Sequence, residues 1–364
     1  MRARLALLSL AVVGAGCAST TGVGYYWQSV TGHLQLMQAA RPVDQWLGDE
    51  STPARLKERL ALAQRIRAFA VSDLALPDNA SYHRYADLQR RAAVYNVVAA
   101  PALSLTLHTW CFPVAGCVGY RGYFSEQDAQ AFGESLDPSL EVNVYPVPAY
   151  STLGWMNWAG GDPLLSTFIG YPEGELARLV FHELAHQVVY VRNDTVFNES
   201  FATAVERLGG TRWLQTHASP QAQAEYHRFD ERRRGFRTLT GAVRERLQTI
   251  YRDRTLDDAT KLQRKAAVMD DFRRDYAALR SQWDGFAGYD AFVSRANNAS
   301  FAAQAAYDEL VPGFIALFER EGRDFARFYD AVRTLAGQPK EERQKTLKAL
   351  AGTAVTETTA TAQR

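Results

Sequence analysis

Apolar residues recur every three or four positions along most of this chain, a spacing that predicts amphipathic helices. Between residues 52 and 100 the spacing predicts two helices joined by the turn Pro77-Asp78-Asn79. Beyond residue 210 it predicts an almost wholly helical chain that begins with a long helical hairpin. The predicted core stripes are Leu62, Ile66 and Phe69; Tyr82, Tyr85, Leu88, Ala92 and Tyr95; Phe236, Leu239, Val243, Leu247 and Ile250; and Leu262, Ala266, Met269, Phe272, Tyr276 and Leu279.

Alternation of apolar and polar residues, which is typical of strands, is confined to the middle of the chain. It predicts strands at Leu103–Trp110 and Leu140–Tyr145. The predicted fold class is therefore α+β, predominantly α-helical. We expect residues 17–351 to form one domain, or two subdomains that divide near residue 210, and the Thr- and Ala-rich residues 352–364 to form a disordered tail.

The N-terminus predicts where the protein is located. Two arginines precede an apolar run, Leu5–Val13, that is too short to span a bilayer and is followed by small residues and then Cys17. This pattern predicts a lipoprotein signal peptide over residues 1–16 and acylation of Cys17 after cleavage. Since Ala18 follows the cysteine, we expect a lipid-anchored bacterial envelope protein at the periplasmic face of the outer membrane. The alternative is an ordinary secreted protein that is cleaved nearby.

Composition and charge exclude one class of partner and add no candidate site. The chain is 47% hydrophobic and 12% aromatic, as in soluble globular proteins. Without residues 1–16 it holds 39 Lys and Arg against 40 Asp and Glu, which is a net charge of −1. This balance gives no basic excess of the kind that nucleic-acid binding requires, so we expect no nucleic-acid partner. The sequence does not predict an oligomeric state.

The two remaining cysteines are Cys111 and Cys117. In an exported protein an even pair at this short spacing is most simply a disulfide. The alternative is a second metal site that these cysteines form with His108.

The main candidate for chemistry is the motif His182-Glu183-Leu-Ala-His186. Histidines four residues apart on a helix project from one face and can share one metal ion, and zinc is the metal typical of this motif. Glu183, between them, would act as general base rather than as a ligand. The alternative is that these are ordinary surface or core histidines, or a metal site without catalysis.

A catalytic zinc site normally takes a third protein ligand, and we predict Glu199. Asp194 or Thr195 can cap a second helix just before it, and twelve residues separate His186 from Glu199. Glu206, two turns further on, is the runner-up. Otherwise Glu206, like Asn198, is a candidate to support the ligands from behind.

At this point the chain resembles a bacterial family of lipoproteins described as predicted aminopeptidases, of the broad zincin and gluzincin type. The resemblance covers nearly the whole mature chain, with a small insertion at Asn157–Gly161 as a departure. It implies one Zn²⁺ on His182, His186 and Glu199, with Glu183 as base. The matching segments are TWCFPVAGC (109–117), YRGYF (120–124), AYSTLGW (149–155), DPLLST (162–167), FHELAHQ (181–187) and FNESFATAVE (197–206).

In zincins a small β-sheet usually lies over the active-site helix, and its edge strand pairs with the substrate backbone. We predict that Ala149–Trp155 is this strand, with Tyr150, Ser151 and Gly154 as substrate contacts; the alternative is a structural strand and turn. Such sites also recruit a later Tyr or His to stabilise the oxyanion. Tyr307 is the candidate, and its competitors are Tyr120, Tyr123 and His227.

The expected function is hydrolysis of peptides at the cell envelope by a zinc metallopeptidase, in particular an aminopeptidase. An aminopeptidase needs an acidic side chain to hold the free amine of its substrate, and Glu206, Asp162 and Asp308 are all candidates. One alternative is a non-catalytic envelope binding or assembly lipoprotein that keeps the zinc and has a blocked cleft. A second alternative is a cell-wall peptide amidase.

Overall fold

A computed structural model describes residues 20–113, 116–154 and 157–362 of the chain. The predicted signal peptide and Cys17 lie outside the described residues. Within them, no helix is both long enough and apolar enough to cross a membrane.

Helices make up most of the described chain. The first six are α1 (Thr20–Ala39), α2 (Val43–Gly48), α3 (Ala54–Ser72), α4 (Glu126–Glu134), α5 (Glu173–Ala185) and α6 (Thr195–Thr216). The later ones are α7 (Pro220–Arg252), α8 (Asp258–Gln282), α9 (Asp290–Arg295), α10 (Asn298–Asp308), α11 (Val311–Arg320), α12 (Phe325–Ala336) and α13 (Lys340–Ala362).

The strands form three small sheets. Their bounds are β1 (Arg41–Pro42), β2 (Arg84–Ala86), β3 (Val94–Pro101), β4 (Trp110–Phe112), β5 (Gly116–Val118), β6 (Arg121–Tyr123), β7 (Leu140–Val147) and β8 (Leu164–Leu165). The largest sheet has the order β6-β3-β7 and is antiparallel throughout. In the second sheet, β2 pairs antiparallel with β1 and parallel with β8, while β4 and β5 form a hairpin. This architecture agrees with the predicted α+β class.

The main core surrounds α5 and α6, which pack against each other. Phe181 of α5 and Phe197 and Phe201 of α6 are fully buried. Gly209 allows the close approach of α6, because a Cβ atom there would lie 2.6 Å from Leu74 and 3.0 Å from Phe181. Helices α3, α11, α12 and α13 contribute further to this core.

A second core lies between the two long helices α7 and α8, which confirms the predicted hairpin. Its buried residues include Phe236, Val243, Leu247, Met269 and Phe272, all from the predicted stripes, whereas Leu262 is exposed. The first predicted helix is also present, as α3. Gly210, close to the predicted subdomain boundary, lies inside α6.

The second helix predicted between residues 52 and 100 is wrong, because that segment contains β2 and β3. Tyr82 and Gln89 have φ values of 69° and 50°, which a helix does not allow. Tyr85 is buried in β2 opposite Leu164 rather than on a helical face. Because residues on both faces of these short strands are buried, their apolar positions do not alternate, and the aromatic spacing resembled that of a helix.

The strand at Leu140–Tyr145 is confirmed as part of β7, but the strand predicted at Leu103–Trp110 is wrong. The neighbouring strand β3 ends at Pro101, and the chain then has no regular structure until β4 begins. At the C-terminus, α13 continues through Ala362 and so includes residues for which a disordered tail was predicted.

Candidate metal centre and its cleft

Two helices and the turn between them bring the predicted ligands together. Helix α5 begins after Pro172 and ends at Ala185, and His186 still has helical dihedral angles (φ −58°, ψ −22°). The imidazoles of His182 and His186 therefore project from the same face. Helix α6 begins at Thr195 and is capped by Asp194, whose side chain accepts a hydrogen bond from the backbone N–H of Phe197.

Asn198 fixes the turn that joins the two helices. Its side chain accepts from the backbone N–H of Val191 and donates to the carbonyl of the same residue, both at 2.8 Å. Asn198 is buried and bonded to the turn rather than to a predicted ligand. It thus supports the centre by holding α6 against the end of α5.

The three predicted ligand atoms form a nearly equilateral triangle. Nε2 of His182 lies 3.2 Å from Nε2 of His186 and 3.3 Å from Oε2 of Glu199, and Nε2 of His186 lies 3.6 Å from the same oxygen. Two ligands about 2.1 Å from one ion at a tetrahedral angle are themselves about 3.4 Å apart. Two histidines and a carboxylate with these spacings could hold a metal ion.

Glu206 lies behind this triangle and takes no part in it. Its Oε2 accepts a hydrogen bond from Nδ1 of His182 at 3.1 Å, and its other oxygen pairs with the guanidinium of the buried Arg178. Glu206 is therefore placed to support a ligand rather than to be one. This bond leaves Nε2 of His182 available to a metal.

Both Glu199 and Glu206 are negatively charged, and this charge favours a cation bound beside the histidines. Burial alone would raise the pKa of Glu199, but the imidazoles of His186 and His182 outweigh it and lower this pKa to about 2. For Glu206, Arg178 and His182 likewise outweigh burial and lower the pKa to about 2. Burial lowers the pKa of His182, yet its bonds to Glu199 and Glu206 prevail and hold this pKa well above its usual range. The pocket thus stabilises positive charge strongly.

Two cavities meet at the centre. The larger cavity, of about 530 Å³, touches all three candidate ligands and Glu183. The smaller one, of about 490 Å³, is also lined by His182 and Glu183. Tyr307 lines both. Glu183 therefore lies where the two cavities meet.

Of the four residues predicted as candidates to stabilise an oxyanion, two line the cavities. The ring of Tyr307 is stacked near that of His182, with 6.0 Å between centroids, and Tyr120 lines the larger cavity. Burial, and next the charge of Glu199, raises the pKa of both phenols well above the usual value, so that both stay protonated. Tyr123 instead packs in a separate cluster with Phe132, and His227 lines neither cavity. Sequence reasoning missed Tyr190, which also lines the larger cavity.

The prediction of an edge strand at residues 149–155 is wrong, because residues 149–154 form an irregular loop. Its shape is set by the buried Asp162, whose carboxylate accepts from the backbone N–H and the hydroxyl of Thr152 at 3.0 and 2.8 Å. Tyr150 and Ser151 do line the larger cavity. Gly154 does not; with φ +79° it faces Gln187 instead.

Cys111 and Cys117 form the predicted disulfide, which joins β4 to β5. Since the two sulfur atoms are bonded to each other, the alternative of a metal site with His108 is wrong. The backbone N–H of Cys117 donates to the side chain of Asn193, in the turn between α5 and α6, at 2.7 Å. The disulfide hairpin therefore lies against the turn between the two helices that bring the candidate ligands together.

The geometry defines a broad class: an α+β protein with a buried cluster of two histidines and a glutamate that could hold a metal ion. The chain belongs to the family described as "Putative aminopeptidase", whose model matches residues 24–347. Membership suggests peptidase activity, and it confirms the resemblance noted in the sequence at the level of the family. No curated protein and no solved structure matches the chain.

Proposed function

We propose that the protein is a zinc-dependent peptidase in which His182, His186 and Glu199 hold the ion and Glu183 is the general base. The observation that carries the proposal is the triangle of ligand atoms, with sides of 3.2, 3.3 and 3.6 Å, at the junction of two cavities. Zinc held there would act as a Lewis acid toward the scissile carbonyl and would lower the pKa of a water molecule.

The chain's own residues supply the remaining chemistry. Glu183 would accept a proton from the attacking water and later deliver it to the leaving amine, since it lines both cavities beside His182. The phenol of Tyr307 would donate a hydrogen bond to the oxyanion that develops on the carbonyl oxygen. Glu206 and Asn198 would position the ligands.

The biological setting is also a proposal. The substrate would be a peptide of the bacterial cell envelope, and the protein would be held at the membrane by lipid on Cys17. The family description favours an aminopeptidase. The alternative of a non-catalytic binding or assembly protein predicts a blocked cleft. The two open cavities therefore support catalysis.

The test compares the wild type with Glu183→Gln and His186→Ala. Metal content is measured, together with turnover of a panel of free-amine and N-blocked fluorogenic peptides. We expect stoichiometric zinc and chelator-sensitive cleavage in the wild type, zinc without cleavage in Glu183→Gln, and no zinc in His186→Ala. Zinc in the wild type without turnover of any peptide would favour the non-catalytic role or the cell-wall amidase.

A further inference from the structure

The smaller cavity has four arginines in its wall, Arg178, Arg207, Arg233 and Arg237, and it reaches His182 and Glu183 at one end. The arginines come from α5, α6 and α7, so no single segment of sequence reveals their proximity. We define these residues, with the acidic residues paired to them, as the arginine lobe.

Every carboxylate in the wall of the smaller cavity apart from Glu183 already has an arginine partner. Glu206 pairs with Arg178, and Glu175 pairs with Arg233. Asp308 accepts from Arg207 and, at 3.4 Å, from Arg237. A substrate ammonium group would have to displace one of these arginines to reach an acidic partner.

Asp230 is a second partner of Arg233, so four carboxylates pair with the four arginines, but the positive charge is less well satisfied at Arg207 and Arg237. Arg207 and Arg237 share the single carboxylate of Asp308, so one cation there lacks a partner of its own. Nε of Arg207 is buried and has no hydrogen-bond partner among the described residues. Burial, and next the charge of Arg207, lowers the pKa of Arg237, which is the direction expected for cations crowded together. A carboxylate on a bound substrate would give Arg207 and Arg237 a second acidic partner.

We propose that the arginine lobe binds a carboxylate of the substrate, with Arg207 and Arg237 as the residues that recognise it. The inference rests on the proposed peptidase function and specifies its substrate class. The substrates would be peptides that carry a carboxylate close to the scissile bond. A planar guanidinium binds a carboxylate through two parallel hydrogen bonds, whereas an uncharged amide lacks this match.

Two sources can supply that chemistry: the free C-terminus of a short peptide, or an acidic side chain. Leu-Ala-Ala is compared with Leu-Ala-Ala-amide for the first source, and Leu-Glu-Ala-amide with Leu-Gln-Ala-amide for the second. For the zinc-loaded full chain we expect kcat/KM to be about 10- to 100-fold higher for the acidic member of at least one pair, the range that charge-assisted hydrogen bonds support.

Three variants test the residues. Arg237→Gln should abolish the preference by raising KM for the acidic peptide more than KM for the amide. Asp308→Asn should increase the preference for the acidic peptide, because it frees Arg207 and Arg237 from their shared carboxylate. Arg234→Gln is the matched control: it removes the same charge from α7 at an exposed position and should leave the preference unchanged.

Binding of the same peptides to the catalytically silent Glu183→Gln variant, followed by calorimetry, separates the two proposals. If the wild type cleaves nothing but acidic peptides still bind more tightly, and this depends on Arg237, the lobe assignment stands while the peptidase proposal fails. If acidic and amide peptides are cleaved and bound equally in both pairs, the peptidase stands and the carboxylate proposal is overturned.

Discussion

Nδ1 of His182 lies 3.1 Å from Oε2 of Glu206, on the side of the imidazole that faces away from the other candidate ligands. A ring N–H that donates to a carboxylate fixes the orientation and tautomer of a metal-binding histidine and makes its other nitrogen more basic. Glu206 itself is held by Arg178. The three residues form a chain of contacts that leads from the protein interior to the centre.

Glu206→Gln should therefore weaken zinc binding by about 10- to 100-fold, because such supporting carboxylates contribute to metal affinity on this scale. The measurement is competition for zinc with a chelator of known affinity. Arg178→Gln is the control, since it breaks the same buried ion pair but keeps the bond from His182 to Glu206. Equal loss of affinity in both variants would show that Glu206 acts only through general stability.

Tyr307→Phe should lower kcat about 100- to 1000-fold with little change in KM, the loss typical of removing one oxyanion donor. The reason is its position beside His182 on the wall of both cavities. Steady-state kinetics on the best peptide substrate would measure it, with Tyr123→Phe as the control, because Tyr123 packs away from the cleft. An unchanged kcat would transfer the role to Tyr120 or Tyr190.

The clustering of His182, His186 and Glu199 could be predicted because these residues are close in sequence. The spacing of His182 and His186 defines a face of one helix, and the cap at Asp194 predicts where the helix bearing Glu199 begins. The arginine lobe could not be predicted, since Arg237 and Arg207 meet only after α7 folds back over α6. A sequence pattern records neighbours along a helix, not partners from other elements.

The absence of contacts between elements from the sequence pattern also explains the errors in the predicted fold. The hairpin of α7 and α8 was predicted because each helix has one buried face, so that Phe236 and Val243 recur at helical spacing. Tyr85 lies in a strand of three residues, too short for alternation to be recognised. The loop at residues 149–154 depends on Asp162, a buried charge whose partners no periodicity reveals.

Gly209→Ala should destabilise the protein by about 1–3 kcal/mol, because the added methyl group would lie 2.6 Å from Leu74 in a filled core. Gly241→Ala, in α7, is the matched control. Nothing lies within 4 Å of a Cβ atom at that position, so alanine should stabilise the helix by up to about 1 kcal/mol. Urea unfolding of both variants would measure the two free energies, and a destabilised Gly241→Ala together with an unaffected Gly209→Ala would contradict the packing described for α6.

Asp162 should make stability depend on pH in the direction opposite to that of most carboxylates. Burial raises the pKa of its side chain from 3.8 to about 6, although the bonds from Thr152 oppose this shift. In the native state the group keeps its proton up to about pH 6, whereas in the unfolded chain it loses the proton near pH 4. The native state therefore binds more protons in this window, and stability falls as pH rises from about 4 to 6.

A shift of this size corresponds to about 3 kcal/mol. Asp162→Asn cannot titrate, so its free energy of unfolding relative to the wild type should increase by about that amount between pH 4 and pH 7. Urea unfolding of both proteins, without metal and at several pH values, measures this difference in the free energy of unfolding. The contributions of the other titrating groups are the same in both proteins and cancel. Asp137→Asn is the contrasting control: bonds from Ser139 lower the pKa of Asp137 below 3.8, so the wild type gains relative to that variant as pH rises to about 4 and the difference should change little from pH 5 to pH 7. A difference for Asp162→Asn that stays constant from pH 4 to pH 7 would mean that the buried carboxyl group does not titrate in this range.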